Sequence, residues 1–151
     1  MAVKREDPYG AFNYKVLINV KSGIEIEGGF SDVSGLSTEV SYAEYRNGNE
    51  PRNRPRKIPT TFKIGDVTLK RGLIAATDLF EWIEQVRAGQ PDTRATVAIS
   101  LLDENNRQTV GTWVLEGARP SKYTGPTLAA KGGTDVAMEE LVLVCEDMRF
   151  E

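Results

Sequence analysis

The sequence predicts a mainly-β domain, an antiparallel β-barrel or sandwich of about seven strands with one flanking α-helix. Several segments alternate apolar and polar residues with the two-residue period of half-buried strands. Short polar or glycine-containing turns separate these segments, as in β-hairpins. Only one segment shows the apolar spacing of a helix. At 151 residues the chain is long enough to bury a single core without disulfides.

The strand predictions follow the alternation along the chain. Segments 12–20 and 24–27 flank a Ser22-Gly23 turn, and segments 95–102 and 109–118 flank a polar tip at 103–107. Each pair predicts a hairpin. The remaining predicted strands are 33–42 with a bulge at Gly35, 60–69 with an interruption at Gly65 and Asp66, and 136–150. Segment 120–135 is rich in glycine and predicts a loop.

The one predicted helix covers residues 78–87. Its apolar residues recur at i, i+3, i+4 and i+7 and form a stripe that we expect to face the core rather than a partner: Leu79, Trp82, Ile83 and Val86. Asp78 as N-cap, with Glu81 three residues later, resembles a capping box. Gly89 and Pro91 end the helix.

A long polar segment, 43–59, interrupts the strand pattern and predicts an extended loop, since prolines recur through it. It carries a net charge of +3, whereas the whole chain carries −3, so the residues outside it carry −6. Its candidate binding residues are Glu44, Tyr45, Arg46, Glu50, Arg52, Arg54, Arg56 and Lys57. A loop of this length inside a domain is uncommon and usually functional or disordered. Docking on another copy, nucleic-acid binding and simple solvation all remain open for it.

The composition argues against an enzyme. The chain contains no histidine and one cysteine, so the usual zinc ligand sets and the Ser-His-Asp and Cys-His nucleophile systems cannot be assembled. Cys145 lies in an apolar strand-like run and is expected to be a small buried hydrophobe. We expect no catalytic, cofactor-binding or metal-binding residues and no cofactor.

The sequence also limits which partners and which cellular compartment are expected. No apolar run approaches the roughly 20 residues of a membrane helix, so no direct membrane anchor is expected. The first residues lack the apolar stretch of a signal peptide, which favours cytoplasmic synthesis. A sequence pI of about 5.2 and a single aromatic residue in segment 43–59, Tyr45, weaken the nucleic-acid interpretation.

Nine short segments, taken in order, resemble the tail tube proteins of contractile phage tails and extracellular contractile injection systems. They are DPYGAFNY at 7–14, GFSDVSGL at 29–36, EYRNG at 44–48, KIP at 57–59, TLKRG at 68–72, LFEWI at 79–83, Trp113, ARP at 118–120 and VAME at 136–139. That family is related to the haemolysin-coregulated protein of type VI secretion.

The resemblance implies a single tail-tube domain over 1–151, with an N-terminal extension at 1–11 and an inter-ring loop at 43–59. It implies a structural protein without catalysis, whose hexameric rings stack into a hollow rigid tube inside a contractile sheath. The implied partners are further copies of the chain, a sheath protein, baseplate or hub and tube-terminating proteins, and a protein or DNA cargo in the lumen. The implied location is a phage tail or tail-like particle.

Two alternatives remain open from the residues. One is a ring-forming carrier of the type VI kind, and the other is a small β-barrel nucleic-acid module. The sequence does not separate a phage from a non-replicating injection system, and it leaves open which strand face lines the lumen.

Overall fold

The computed structural model describes residues 7–46, 48–49, 55–73, 77–105, 107–130, 132 and 136–151. Within them the chain is mainly β with one helix. The elements are β1 Tyr14–Val20, β2 Glu25–Gly28, β3 Asp32–Ser34, β4 Thr38–Tyr45, β5 Arg56–Ile64, β6 Val67–Gly72, α1 Asp78–Arg87, β7 Ala95–Leu102, β8 Thr109–Thr124, β9 Met138–Val144 and β10 Asp147–Phe150.

Eight strands form two layers that share the long strand β8. The front layer has the order β2-β1-β7-β8-β10, and the back layer has the order β3-β6-β9 followed by the C-terminal part of β8. All neighbouring pairs are antiparallel. β8 changes layer near Gly117, whose φ of +64° is a conformation that other residues rarely adopt. The predicted mainly-β antiparallel fold is confirmed.

A single core lies between the layers. Its fully buried side chains come from both, with Val16, Ile18 and Val97 in the front layer and Leu69 and Leu141 in the back layer. Helix α1 packs on β8 and adds Leu79 and Trp82 to this core. The buried indole donates its Nε1–H to the Thr93 carbonyl at 2.8 Å, as a buried tryptophan must find a partner. Ile83 and Val86 are half-buried.

The helix bounds match the sequence prediction, but its cap does not. Thr77 is the N-cap, and its hydroxyl donates to the Glu81 carboxylate at 3.0 Å instead of accepting from a backbone N–H of the first turn. Asp78 is the first helical residue, and its carboxylate accepts from Leu79 N–H at 2.8 Å and also from Arg71. The capping-box interpretation was wrong because Asp78 has a charged partner outside the helix.

The structure has ten strands among its described residues rather than about seven. The predicted strand 33–42 is two strands, since Gly35 takes a φ of +88° between β3 and β4. The predicted strand 136–150 is also two, broken at Cys145 and Glu146. Conversely, residues 120–124 were predicted to be part of a glycine-rich loop, and in the structure they continue β8.

The predicted extended loop 43–59 is largely a hairpin where it is described. Residues 43–45 end β4, and residues 56–59 begin β5, with Pro59 paired to Tyr42. Proline fits there because each strand of a two-stranded ribbon has an open edge, and because a register shift lies between Val40 and Tyr42. Glu50, Arg52 and Arg54 lie outside the described residues.

Candidate assembly site

Strands β4 and β5 form a two-stranded hairpin that is separate from the eight-stranded sheet, here called the arm. Every residue of β4 is exposed, and so is every residue of β5 except Ile64. At its base, Gly65 N–H donates to the Ser37 carbonyl at 2.9 Å. A side chain at Gly35 would place Cβ 2.1 Å from the Asp66 carbonyl oxygen, so the base is tightly fixed. The arm therefore projects from a firm base.

The arm has two different faces. The register puts Val40 opposite Phe62 and Tyr42 opposite Pro59, so these four side chains share one face. Val40, Tyr42 and Phe62 are 46%, 59% and 62% exposed, which is unusual for large apolar groups. The other face pairs Glu39 with Lys63, Ala43 with Ile58 and Tyr45 with Arg56, so it mixes charged groups with the exposed side chains of Tyr45 and Ile58. An exposed apolar face of this kind marks an interaction surface.

The sequence-predicted binding residues are only partly brought together. Glu44 pairs across the hairpin with Lys57, and Tyr45 pairs with Arg56. Arg46 follows β4 and is exposed. Sequence reasoning missed Val40 and Phe62, although both alternate with polar residues in the strand pattern and could have been found there.

At the opposite end of the back layer lies an open cleft of about 550 Å³. It is bordered by the start of β3, the end of β6, the start of β9 and the loop after β8. Its charged lining residues are Asp32, Lys70, Glu139 and Glu140, three acidic and one basic. Pro126 and Val136 contribute apolar lining, and Val136 is 74% exposed.

A buried polar network holds this end of the molecule in place. Arg71 on β6 is 5% exposed and donates its Nε–H to Glu139 on β9, which is 3% exposed. Its Nη2 group pairs with Asp78 at the start of the helix. Tyr123 on β8 donates its hydroxyl to the second Glu139 oxygen at 2.8 Å. One guanidinium therefore joins two strands and the helix, and the hydroxyl adds a third strand.

The network shifts the pKa values of Arg71 and Tyr123. Burial alone would lower the pKa of Arg71, but hydrogen bonds to Asp78 and Glu139 outweigh it and raise that pKa. Burial, then the hydrogen bond to Glu139, raises the pKa of Tyr123 to about 12. The pKa values of both groups therefore move away from neutrality, and the hydrogen bonds make the arrangement a structural clamp.

Sequence analysis did not detect this network. The predicted apolar side of 136–150 held the even-numbered residues, yet the core side of β9 is the odd-numbered one, with Leu141 and Leu143 fully buried. On that side Glu139 occupies a core position. A charge in an apolar strand, with Arg71 two residues beyond the predicted strand 60–69, was the available signal.

The candidate groups for metal binding and nucleophilic chemistry can be assessed among the described residues. No group of three or more His, Cys, Asp or Glu there could hold a metal ion. Within the same residues, no helix is long and apolar enough to cross a membrane. Cys145 is half-buried, and burial together with the Asp66 carboxylate raises the pKa of its thiol to about 11. A thiol of that pKa is a poor nucleophile near neutrality.

The described residues thus form a two-layer β-fold with one helix, with a separate hairpin arm at one end of the back layer and an open cleft at the other. The family model described as T4-like virus tail tube protein gp19 matches residues 10–149. The chain therefore belongs to the T4-like tail tube protein family.

Solved structures agree with this assignment. A chain in the baseplate of the anti-feeding prophage is 26% identical over 97% of both chains, with a TM-score of 0.83. A chain in the sheath–tube complex of the extracellular contractile injection system PVC is 25% identical over 97% of this chain and 93% of that one, with a TM-score of 0.79. Hcp1 from Flavobacterium johnsoniae is 15% identical over 90% and 94%, with a TM-score of 0.54, and shares the fold alone. The comparison with curated proteins gave no match.

Neutralising Glu139 should destabilise the fold strongly. Glu139→Gln leaves the buried Arg71 short of one charged partner and should cost about 3–5 kcal/mol of unfolding free energy. Glu140→Gln is the matched control. The Glu140–Lys70 ion pair is solvent-exposed, with Nζ and Oε2 4.0 Å apart, and is expected to contribute about 0–1 kcal/mol. Urea unfolding of the two variants measures the difference, and equal midpoints would show that the network does not support the fold.

The Cys145 thiol should react slowly at mildly alkaline pH. Because alkylation by iodoacetamide requires the thiolate, the rate should rise with a midpoint near pH 11 in the folded protein. In guanidinium chloride the midpoint should return to near 9, the ordinary value for the group. A folded-state midpoint at or below the unfolded one would contradict the assigned burial effect.

Proposed function

We propose that this chain is a non-enzymatic tube subunit whose rings stack through the arm, and that the tube conducts cargo inside a contractile particle. The observation that carries the proposal is the arm, a two-stranded hairpin with a large apolar face that the described part of its own chain leaves exposed. A two-stranded hairpin alone is marginally stable in water. Cover from another copy would stabilise it, and tail tube family membership makes a second copy the fitting partner.

The charge distribution supports self-docking. The five cations and two anions of segment 43–59 give +3, against −6 for the rest of the chain. A basic arm is therefore attracted to the acidic body of a neighbouring copy. A nucleic-acid partner would instead face a chain that is acidic overall. The particle's other components, a sheath protein, a baseplate or hub and a tube terminator, fit the same assembly, as they do in the systems that hold the related chains.

Ring closure would use the open edges of the front layer. β2 stands at one edge and β10 at the other, each four residues long. Five strands spaced about 4.8 Å apart make a layer roughly 24 Å wide, so six copies joined edge to edge would close a cylinder of roughly 23 Å radius. Joining these edges would also protect them from other pairing.

This closure would decide which strand face lines the lumen. One face of the front layer is sealed by the core and the back layer, which add a further sheet and a helix. That bulk fits only on the convex outside of a closed cylinder, so the opposite face would turn inward. The exposed residues on that face are polar or charged: Lys15, Asn19, Glu25, Glu27, Thr96 and Arg149.

Reversing the arm charges should prevent tube formation. The combined substitutions Arg52→Glu, Arg54→Glu and Arg56→Glu should leave isolated rings under negative-stain electron microscopy, because the arm would then repel the acidic body. Lys21→Glu, Arg87→Glu and Arg107→Glu change the net charge equally at exposed sites and should still give long tubes. Long tubes from the arm variant would refute the stacking role. Isolated rings from the unmodified protein would favour the type VI-like carrier.

If the face of the front layer that points away from the core lines the lumen, bulky reagents should not reach it in assembled tubes. In a Cys145→Ala background, Thr96→Cys in assembled tubes should react with a small maleimide but not with a bulky polyethylene-glycol maleimide. Glu84→Cys on the exposed helix face should react with both, and both variants should react with both reagents after disassembly. Equal bulky labelling of the two sites in intact tubes would place the Thr96 face on the outside.

A further inference from the structure

We propose that Arg149 on β10 of one copy pairs with Glu27 on β2 of the next copy in the ring, and that this pair fixes the register in which the copies close. This inference rests on the proposed function, since it names the residues that align the two sheet edges assigned to ring closure. The partner must be a second copy, because β2 and β10 lie at opposite edges of the front layer and cannot meet within one chain.

Glu27 and Arg149 lie at the two ends of one row of paired residues that crosses the front layer. The row contains one residue from each strand, in the order Glu27, Leu17, Ala98, Val114 and Arg149. The neighbours Ile26 and Met148 pack on the core side, so Glu27 and Arg149 both point to the opposite face. Both are exposed. An acidic group and a basic group therefore stand level with each other at the two open edges.

The two edge strands run in the same direction. Four antiparallel steps separate β2 from β10, so copies related by rotation about an axis along the strands would join them as a parallel pair. The same rotation keeps each row at the same height, which places Arg149 beside Glu27 unless the strands tilt and shift the register. A shift of one residue would turn every side chain of the neighbour to the other face. The registers to compare are therefore the unshifted one and those shifted by two residues.

Charges on the same face match best in the unshifted register. The adjacent row toward the β1–β2 turn carries Glu25 at the β2 edge and Asp147 at the β10 edge. The adjacent row on the other side carries Lys15, just beyond the end of β2, and Glu151, whose N–H and carbonyl both bond Thr112. The unshifted register therefore gives two opposite-charge contacts and one like-charge contact: Arg149 with Glu27, Glu151 with Lys15, and Asp147 with Glu25.

Shifting the neighbour by two residues removes this match. In one direction, Arg149 would lie beside Glu25, but Glu27 would face another glutamate. In the other direction, Arg149 would lie beside Lys15, and Asp147 would face Glu27. Opposite-charge contacts outnumber like-charge contacts only in the unshifted register, so charge selects it.

Arg149 is placed to make this contact. Its Nη2 lies 3.2 Å from Glu116 Oε1 and 3.6 Å from Glu151 Oε1, and the side chain is still 55% exposed. Two carboxylates of its own chain therefore hold the guanidinium at the edge, and its five N–H donors allow a third acceptor. A single exposed ion pair adds little affinity. The backbone of the edge strands would therefore supply most of the contact, and Arg149 would supply its register.

Complementation between two charge-reversed variants tests the pairing. Glu27→Arg and Arg149→Glu should each reduce the ring fraction, measured by size-exclusion chromatography with light scattering, at least about tenfold. Each variant alone places like charges at every junction. An equimolar mixture should restore rings, because copies that alternate around the ring bring opposite charges together at all junctions.

Glu84→Arg on the exposed helix face is the matched control. It makes the same charge change as Glu27→Arg and should leave the ring fraction unchanged. Far-ultraviolet circular dichroism checks that all variants fold. An unreduced ring fraction from either folded variant, or a mixture that stays free of rings, would overturn the pairing. Absence of rings from the unmodified protein would overturn the proposed function as well.

A zero-length crosslink measures the register directly. Arg149→Lys keeps the positive charge and supplies an amine, which a water-soluble carbodiimide condenses with an adjacent carboxylate, the carbodiimide taking up the lost water to become a urea. In rings, mass spectrometry should find the introduced lysine joined to Glu27. Because the two positions are four strand spacings apart within one chain, roughly 19 Å, such a link joins two copies. Links to Glu25 in place of Glu27, or rings without any link to β2, would overturn the proposed register while leaving ring formation itself standing.

Discussion

The exposed apolar face of the arm is the constraint on which the proposed assembly depends. Val40, Tyr42 and Phe62 extend from a two-stranded ribbon, and no other described residue of the chain buries them. Isolated hairpins are marginal in water, and exposed apolar strands with open edges invite pairing with other chains. A fold that retains such an element places it against a partner. For a tail tube family member, that partner is most simply another copy, and the basic charge of the arm against the acidic body points the same way.

A buried network around Arg71 fixes the end of the back layer that lies opposite the arm. A single guanidinium joins β6, β9 and the start of α1, while Tyr123 brings in β8 through Glu139. Buried ion pairs contribute little net stability but become costly when one partner is removed. The network therefore fixes the positions of these elements more than it strengthens the fold.

The fold class, the helix bounds and most hairpins could be predicted because each depends on the local spacing of apolar and polar residues. Proline and glycine led to loop predictions for two segments that pairing with other strands makes β-strand. Pro59 is tolerated in an open-edged ribbon, and segment 120–124 is held in β8 by pairing with β9. The cleft could not be predicted, because it gathers four elements distant in sequence. Glu139 was assigned no special role, since alternation alone did not show which side of β9 faces the core.

A helical reconstruction of tubes assembled from the purified protein, by cryo-electron microscopy, tests the central claim most directly. We expect each arm to cross to the adjacent ring, with Tyr42 and Phe62 covered by a copy there. Arms that contact only their own ring, or that point away from the tube into solvent, would contradict it.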